Sequence, residues 1–381
     1  MRMSPIRRAD FVEKSQMSAR LIGLAESNHG TQEFVSEQVA VSLELARKYG
    51  FQLIMIEAGY GEALALERYV NGLDVDVVAA IGSLGYWTWN TQGFLDALSQ
   101  IRAYNQSVAP DRRVHLVGVD IQSTEGVIAD LVHDSSLLSA AERALLEQLR
   151  PDSGKQWPQF SPEDKDSVRA TLNRIAGLST EGGVDAGVNQ QALSAHSLLL
   201  QLGYVEKTDF WDKLRIRDRA IADMIEDVMK RTPGARGTVW SHIGHLSRGF
   251  VVGAPTAGRL LADSLGAGYR VYVLLANSGA ARARAVDQKL GVIAHPLAPA
   301  PAYTLEGVLA SRSSTPLPDI TFWSFDGVDA AARRWLHELH WIRSFGAVYG
   351  GEAKPYELYE PAVLDGAILF KTVSPSVPLK N

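Results

Sequence analysis

"RLIGLAESNHGTQEF" (residues 20–34) decides how the rest of the chain is read. Leu21, Ile22 and Leu24 form a short apolar run that ends at Glu26, and Gly30 and Thr31 turn the chain into a helix start at Glu33 and Phe34. A run apolar at consecutive positions, bounded by turn residues, is the pattern of a strand buried on both faces. The same pattern recurs in "QLIMIEA" (52–58), "VHLVGVD" (114–120) and "GTVWSHI" (237–243). It returns in "YRVYVLLA" (269–276), "DITFWSF" (319–325) and "AILFKTV" (367–373). Between the first two runs, Phe34, Val35, Val39, Leu43 and Leu45 fall at helical spacing up to Gly50, a glycine suited to end a helix. Strands alternating with helices predict an α/β fold with a mostly parallel central sheet and flanking helices.

Residues 123–232 differ. They carry helical patterning without a strand, interrupted at "RPDSGKQWPQFSPED" and "STEGGVDAGVN", and end in a long amphipathic segment at 210–231 before Pro233. The expected organisation is therefore an α/β core from residues 1–122 and 233–381, with 123–232 as a helical insertion walling a deep cleft. The prolines of "AHPLAPAPAY" (294–303) predict an extended loop there.

Composition removes several functions. The mild net charge of -5 argues against a nucleic-acid partner, which would favour a basic face. With no cysteine, disulfides and thiolate metal sites are excluded. The basic N-terminus lacks an apolar core of signal-peptide length, and no apolar stretch approaches the roughly 18 residues of a membrane span. A cytoplasmic enzyme acting on a small molecule, with no nucleic-acid or membrane partner, is the expectation.

The strand runs end on ionisable groups. Glu26 with His29, Glu57, Asp120, and His242 with His245 all lie at the carboxyl ends of predicted strands. In open parallel sheets that edge binds the ligand. One strand end with a carboxylate reads as a cap or turn, and Asp120 in "DIQSTE" reads first as a cap. Glu26/His29, Glu57 and His242/His245 together read as one acid/base site. These five could also hold a divalent metal through nitrogen and oxygen, although hydrolysis requires no cofactor. His115 reads as a packed or edge residue, and His133, His196 and His295 stand without companions. His337 and His340 read as a solvated or ion-paired helix face. No G-x-S-x-G, Walker or G-x-G-x-x-G sequence is present, and "HIGH" (242–245) lies too late, without a basic partner loop, to act in nucleotidyl transfer.

These segments in order resemble the erythromycin esterase family. "GLAESNHGTQEF" is similar to that family's "GLGEatHGtxEF", and "MIEAGYGEALALERYVNG" to its second conserved segment. "YWTWNTQGFLDALSQIRAYN" (86–105), "VHLVGVDIQS", "RDRAIADMI" (217–225) and "VWSHIGHLSR" (239–248) resemble further family segments, so the likeness spans nearly the whole chain. It implies hydrolysis of an ester or lactone in a secondary metabolite, since named family members open the macrolactone of erythromycin-type antibiotics. It also implies His29 as the general base activating water, Glu26 and Glu57 orienting the water and the imidazole, and His242, His245 and Arg217 lining the site. A histidine with an ordinary pKa of about 6.5 suits that role. Asn28, Trp87, Trp89, Asp120 and Gln122 are the expected substrate contacts, for a substrate that is large and partly apolar. The sequence departs from the family around this site: Ala25 replaces a glycine, Ser27-Asn28 precede the histidine, Gln92 or Gly93 stands where an acid is common, and Ile243 replaces an amide. Two other readings follow from the same cluster: a biosynthetic tailoring enzyme catalysing cyclisation, elimination or acyl transfer, and a protein that binds a ligand or metal without turnover.

Overall fold

The computed structural model describes residues 3–133, 136–178, 186–251, 253–350 and 355–379. Its centre is a seven-stranded sheet built from β1 (Leu21–Glu26), β2 (Leu53–Gly59), β3 (His115–Asp120), β4 (Gly237–His242), β5 (Tyr269–Ala276), β6 (Ile320–Ser324) and β7 (Gly366–Phe370). These are the seven apolar runs of the sequence. The spatial order is β6-β7-β5-β1-β4-β2-β3. Every neighbouring pair is parallel except β6 with β7, where the antiparallel strand forms one edge. β1, β4 and β7 are buried along nearly their whole length, as a sheet covered on both faces demands.

The period of two along β1 distributes its side chains to two cores. Ile22 and Leu24 pack with Phe11, Phe34, Phe94 and Trp240 beneath the helices Arg8–Gln16, Gln32–Tyr49 and Gln92–Ser107. Leu21 and Ala25 face the opposite core with Met55, Val239, Leu198, Ile221 and Ile225. The chain is thus an α/β fold with helices on both faces of a largely parallel sheet. Gln32–Tyr49 ends as its sequence predicts: Gly50 takes φ 69°, a left-handed conformation, and its N–H caps the last turn.

Between β3 and β4 the described residues form helices and no strand, the longest being Ala186–Val205 and Phe210–Arg231. Phe210–Arg231 starts on Asp209, whose carboxylate accepts the N–H groups of Trp211 and Asp212, and it buries Ile221, Met224, Ile225 and Val228 against the sheet. That anchoring fixes which way Arg217 points.

Two local readings are corrected. Part of "AHPLAPAPAY" is a strand, Val292–Leu297, paired antiparallel with Gly279–Ala285. Proline is tolerated because Val292–Leu297 is an edge strand of its three-stranded sheet. His337 and His340 do not share a helix face. The helix Ala330–Leu336 ends before His337, which contacts Glu360, whereas His340 opens the strand His340–Arg343 and lies against Trp335. No helix among the described residues is long and apolar enough to cross a membrane.

Candidate active site

The sheet order brings the strand ends together. β4 returns from the helical segment to lie between β1 and β2, and its register places His242 directly beside Glu26. β2 follows β4 as far as Ile56 and Trp240, and its pairing with β3 shifts between Ile56 and Gly59. Glu57 sits in that irregular stretch, at the point where the strand leaves the ladder.

On the β1 side, His29 Nδ1 lies 2.5 Å from Glu26 Oε1. The carboxylate fixes the ring with Nδ1–H as donor, and Nε2 is left with a lone pair and no hydrogen bond to any described residue. Burial disfavours the charged imidazole, but Glu26 and then Glu57 favour it more than Arg217 opposes it, so the His29 pKa is raised from its ordinary 6.5. The loop that carries the ring depends on Gly30. Its φ of 71° and its close approach to the Arg282 backbone leave no room for a Cβ, which would collide with the Arg282 carbonyl.

On the β4 side the polar groups are saturated. His242 Nδ1 accepts the Gly244 N–H at 3.1 Å, and Nε2 lies 3.2 Å from the Ser27 carbonyl, which requires a neutral ring with Nε2–H as donor. Burial and the neighbouring His29 push its pKa down to about 3. The rings of His29 and His242 are 5.2 Å apart. Glu57 Oε2 accepts Ser241 Oγ–H at 2.5 Å and the His242 N–H at 3.0 Å, while Oε1 accepts Arg217 Nη2 at 2.7 Å. Burial would raise the Glu57 pKa, but the charges of His245 and Arg217 hold it well below the usual carboxylate range.

Arg217 joins the two sides. Its guanidinium grips Asp120 through two hydrogen bonds, of 3.0 and 2.7 Å, reaches Glu57, and places Nη1 3.1 Å from His245 Nε2. Despite burial, these two carboxylates raise its already high pKa, so it is a permanent cation. His245 forms a second histidine–carboxylate pair, with Nδ1 3.0 Å from Asp218 Oδ1. Burial and Arg217 lower its pKa, Asp218 and Glu57 raise it, and the net direction is upward.

A cavity of about 230 Å3 opens onto this cluster. His29, Glu57, Arg217, His242 and His245 reach it, and so do Trp87, Trp89 and Gln122. Three expected residues do not line it. Glu26 contacts His29 and is absent from the lining. Asp120 is fully buried beneath Arg217. Asn28, expected as a substrate contact, is also fully buried; its amide donates to the His29 carbonyl and to Thr31 Oγ1, so its polarity is spent inside the loop. The long helices between β3 and β4 contribute Arg217, whereas the other walls come from residues 86–89 and from Gly346 and Ala347. Trp89 is locked by its indole N–H on the Glu57 carbonyl at 2.9 Å.

Sequence reasoning missed Tyr86, Asp218, Ser241 and the 346–347 segment. Tyr86 lines the cavity, and burial followed by Asp120 raises its pKa, keeping the hydroxyl a proton donor. A signal existed for Asp218, adjacent to Arg217 in "RDRAIADMI". None existed for Gly346, which arrives from a distant part of the chain.

The five residues considered as metal ligands do not fit that role. Among the described residues no group of three or more His, Asp or Glu is placed to hold an ion. The Arg217 guanidinium occupies the position between Glu57, Asp120 and His245 that a cation would take, and both His242 nitrogens are committed to backbone.

Residues 46–373 match the erythromycin esterase family. That range begins after Glu26 and His29, so their place in the site rests on the geometry above. Three solved structures share the fold. A Bacillus cereus protein is 20% identical with a TM-score of 0.82, covering 99% of this chain and 97% of its own. A succinoglycan biosynthesis protein is 16% identical with a TM-score of 0.81, covering 98% and 95%. A histidine-to-asparagine mutant of the erythromycin esterase EreC in its open conformation is 15% identical with a TM-score of 0.67, covering 98% of both chains.

Proposed function

The chain belongs to the erythromycin esterase family, and we propose that this esterase-like hydrolase cleaves an ester or lactone bond of a secondary metabolite with His29 as general base. The observation that carries the reading is that His29 lines the cavity with Nδ1 held by Glu26, while its Nε2, alone among the histidine nitrogens of the site, has no hydrogen bond to a described residue. An ester carbonyl entering the cavity meets a water polarised by Nε2. The water oxygen bonds to the acyl carbon as its proton passes to Nε2, and Glu26 stabilises the resulting imidazolium. Negative charge collects on the former carbonyl oxygen, where the Arg217 cation and the Tyr86 hydroxyl are the available donors. Collapse breaks the acyl–oxygen bond, and the proton held by His29 returns to the leaving alkoxide. The products are a carboxylic acid and an alcohol, with one water consumed.

The cavity bounds the substrate. At about 230 Å3 it lies below the roughly 300–1,000 Å3 of sites that enclose a whole drug-sized ligand. It takes the reacting acyl group, and the body of a larger, partly apolar substrate rests outside, against Trp87 and Gln122.

A panel of esters and lactones, macrolactones included, incubated in 18O-labelled water tests the proposal. Hydrolysis gives a product heavier by one labelled water, lost in His29→Asn. A product formed without water, or full activity in His29→Asn, overturns it.

A further inference from the structure

Glu26 also borders a second, much smaller space of about 10 Å3, which shares Thr88 and Trp89 with the catalytic cavity. A buried water needs about 10–15 Å3 and two to four polar partners. Thr31 and Thr91 line the space but their hydroxyl oxygens already serve Asn28 and the Phe94 N–H. Two other lining atoms, Gln32 Oε1 and Ser376 Oγ, are buried and have no hydrogen-bond partner. Glu26 contacts His29 through Oε1, and its second oxygen takes no hydrogen bond from a described residue.

Ser376 reaches this position on a C-terminal strap that is pinned at both site loops. Ser376 N–H donates to the Gly30 carbonyl at 2.9 Å, and the Gln32 N–H donates to the Ser374 carbonyl at 3.0 Å. Further along, the Gln92 N–H donates to the Val377 carbonyl at 2.7 Å and Leu379 N–H to the Asn90 carbonyl at 3.2 Å. The strap therefore ties the His29 turn to the loop bearing Trp87 and Trp89, and delivers one unpaired hydroxyl beside Glu26.

We propose that this space is a water-binding site through which Ser376 and Gln32 act as positioning residues for the Glu26–His29 pair. One water accepts from Ser376 Oγ–H and donates to Gln32 Oε1 and to the free oxygen of Glu26, which uses both of its protons. A donor on that oxygen steadies the carboxylate most when His29 is neutral, because the imidazolium otherwise neutralises part of its charge. The water thus holds down a base that Glu26 alone would make too ready to stay protonated. The other charged and titratable groups facing His29 are Glu57, Arg217 and His242.

The inference builds on the reading of His29 as the base, but its test needs no substrate. The full chain, labelled in its histidine rings, is titrated by NMR, with the His29 signal assigned by its loss in His29→Asn. In Ser376→Ala the His29 midpoint moves up, and in a Glu26→Gln background the same substitution leaves it unmoved. A high-resolution crystal structure of the unaltered protein shows a water within hydrogen-bond distance of Ser376 Oγ and a Glu26 oxygen. An unmoved midpoint in Ser376→Ala, an equal shift in the Glu26→Gln background, or a dry, collapsed space overturns the proposal. If Ser376→Ala does not fold, the crystal structure alone decides. Loss of the esterase reading in the ester panel, with the Ser376 shift intact, leaves this inference standing.

Discussion

The ends of β1 and β4 lie side by side in register, and each delivers a histidine to the same cavity. They are chemically opposite. His29 has a carboxylate on one nitrogen and no described residue bonded to the other, and its pKa is raised. His242 spends both nitrogens on backbone groups, and its pKa is pushed down to about 3. Behind His242, Glu57 is equally committed, with one oxygen on Arg217 and the other on Ser241 and the His242 N–H. Neither nearness to a cavity nor residue type separates the proposed base from its neighbour; the partner on the second nitrogen does. One corner is open for a proton and the other is closed.

The largest effect that tests this contrast is on turnover. His29→Asn lowers kcat/KM by about 10²–10⁴-fold, the range of a positioned general base, while leaving the unfolding midpoint close to that of the unaltered protein. His242→Asn retains one donor and one acceptor and loses far less activity. Comparable losses in both variants would erase the distinction.

Next comes stability on the closed side. Arg217→Met removes the cation from buried Asp120 and Glu57, and breaking such a buried pair costs about 3–5 kcal/mol. Urea unfolding reads this directly, and a loss below about 1 kcal/mol, the value of a surface pair, would show that the cluster is solvated.

A smaller change sharpens the open side. Glu26→Gln removes the charge that raises the His29 pKa. The acid limb of the kcat/KM profile, which reports the neutral base, then moves to lower pH. An unmoved limb would separate Glu26 from the base.

The smallest effect is a pair of opposite slopes in stability against pH. A raised folded pKa gives His29 a stabilisation present below its unfolded value of about 6.5 and lost as pH rises through the folded value. His242, with its folded pKa depressed, contributes fully above about 6.5 and loses that contribution as pH falls towards about 3. Urea unfolding at pH 5 and pH 8 therefore shows His29→Asn more damaging at pH 5 and His242→Asn more damaging at pH 8. Slopes of the same sign would contradict the assigned partners.

Much of this arrangement was legible in the residues because parallel strands buried on both faces read as unbroken apolar runs, and their ends are conspicuous. Glu26, Glu57 and His242 announced themselves that way. What the sequence hid is direction and long-range convergence. Asn28 adjoins His29 yet turns inward, because Thr31 and the His29 carbonyl satisfy its amide at once. Gly346 and Ser376 reach the site from chain positions hundreds of residues away, and no local pattern encodes such an arrival. The strand Val292–Leu297 was masked by its own proline, which an edge position tolerates. His337 and His340 show the limit of spacing alone, since three residues imply a shared face only where the helix continues.

The most direct test of the central claim is an NMR titration of the histidine rings of the unaltered protein beside Glu26→Gln. The predicted result is a His29 midpoint above 6.5 that falls in Glu26→Gln, with His242 neutral and silent down to acid unfolding. A His242 that titrates near 6.5, with a His29 midpoint indifferent to Glu26→Gln, would contradict it.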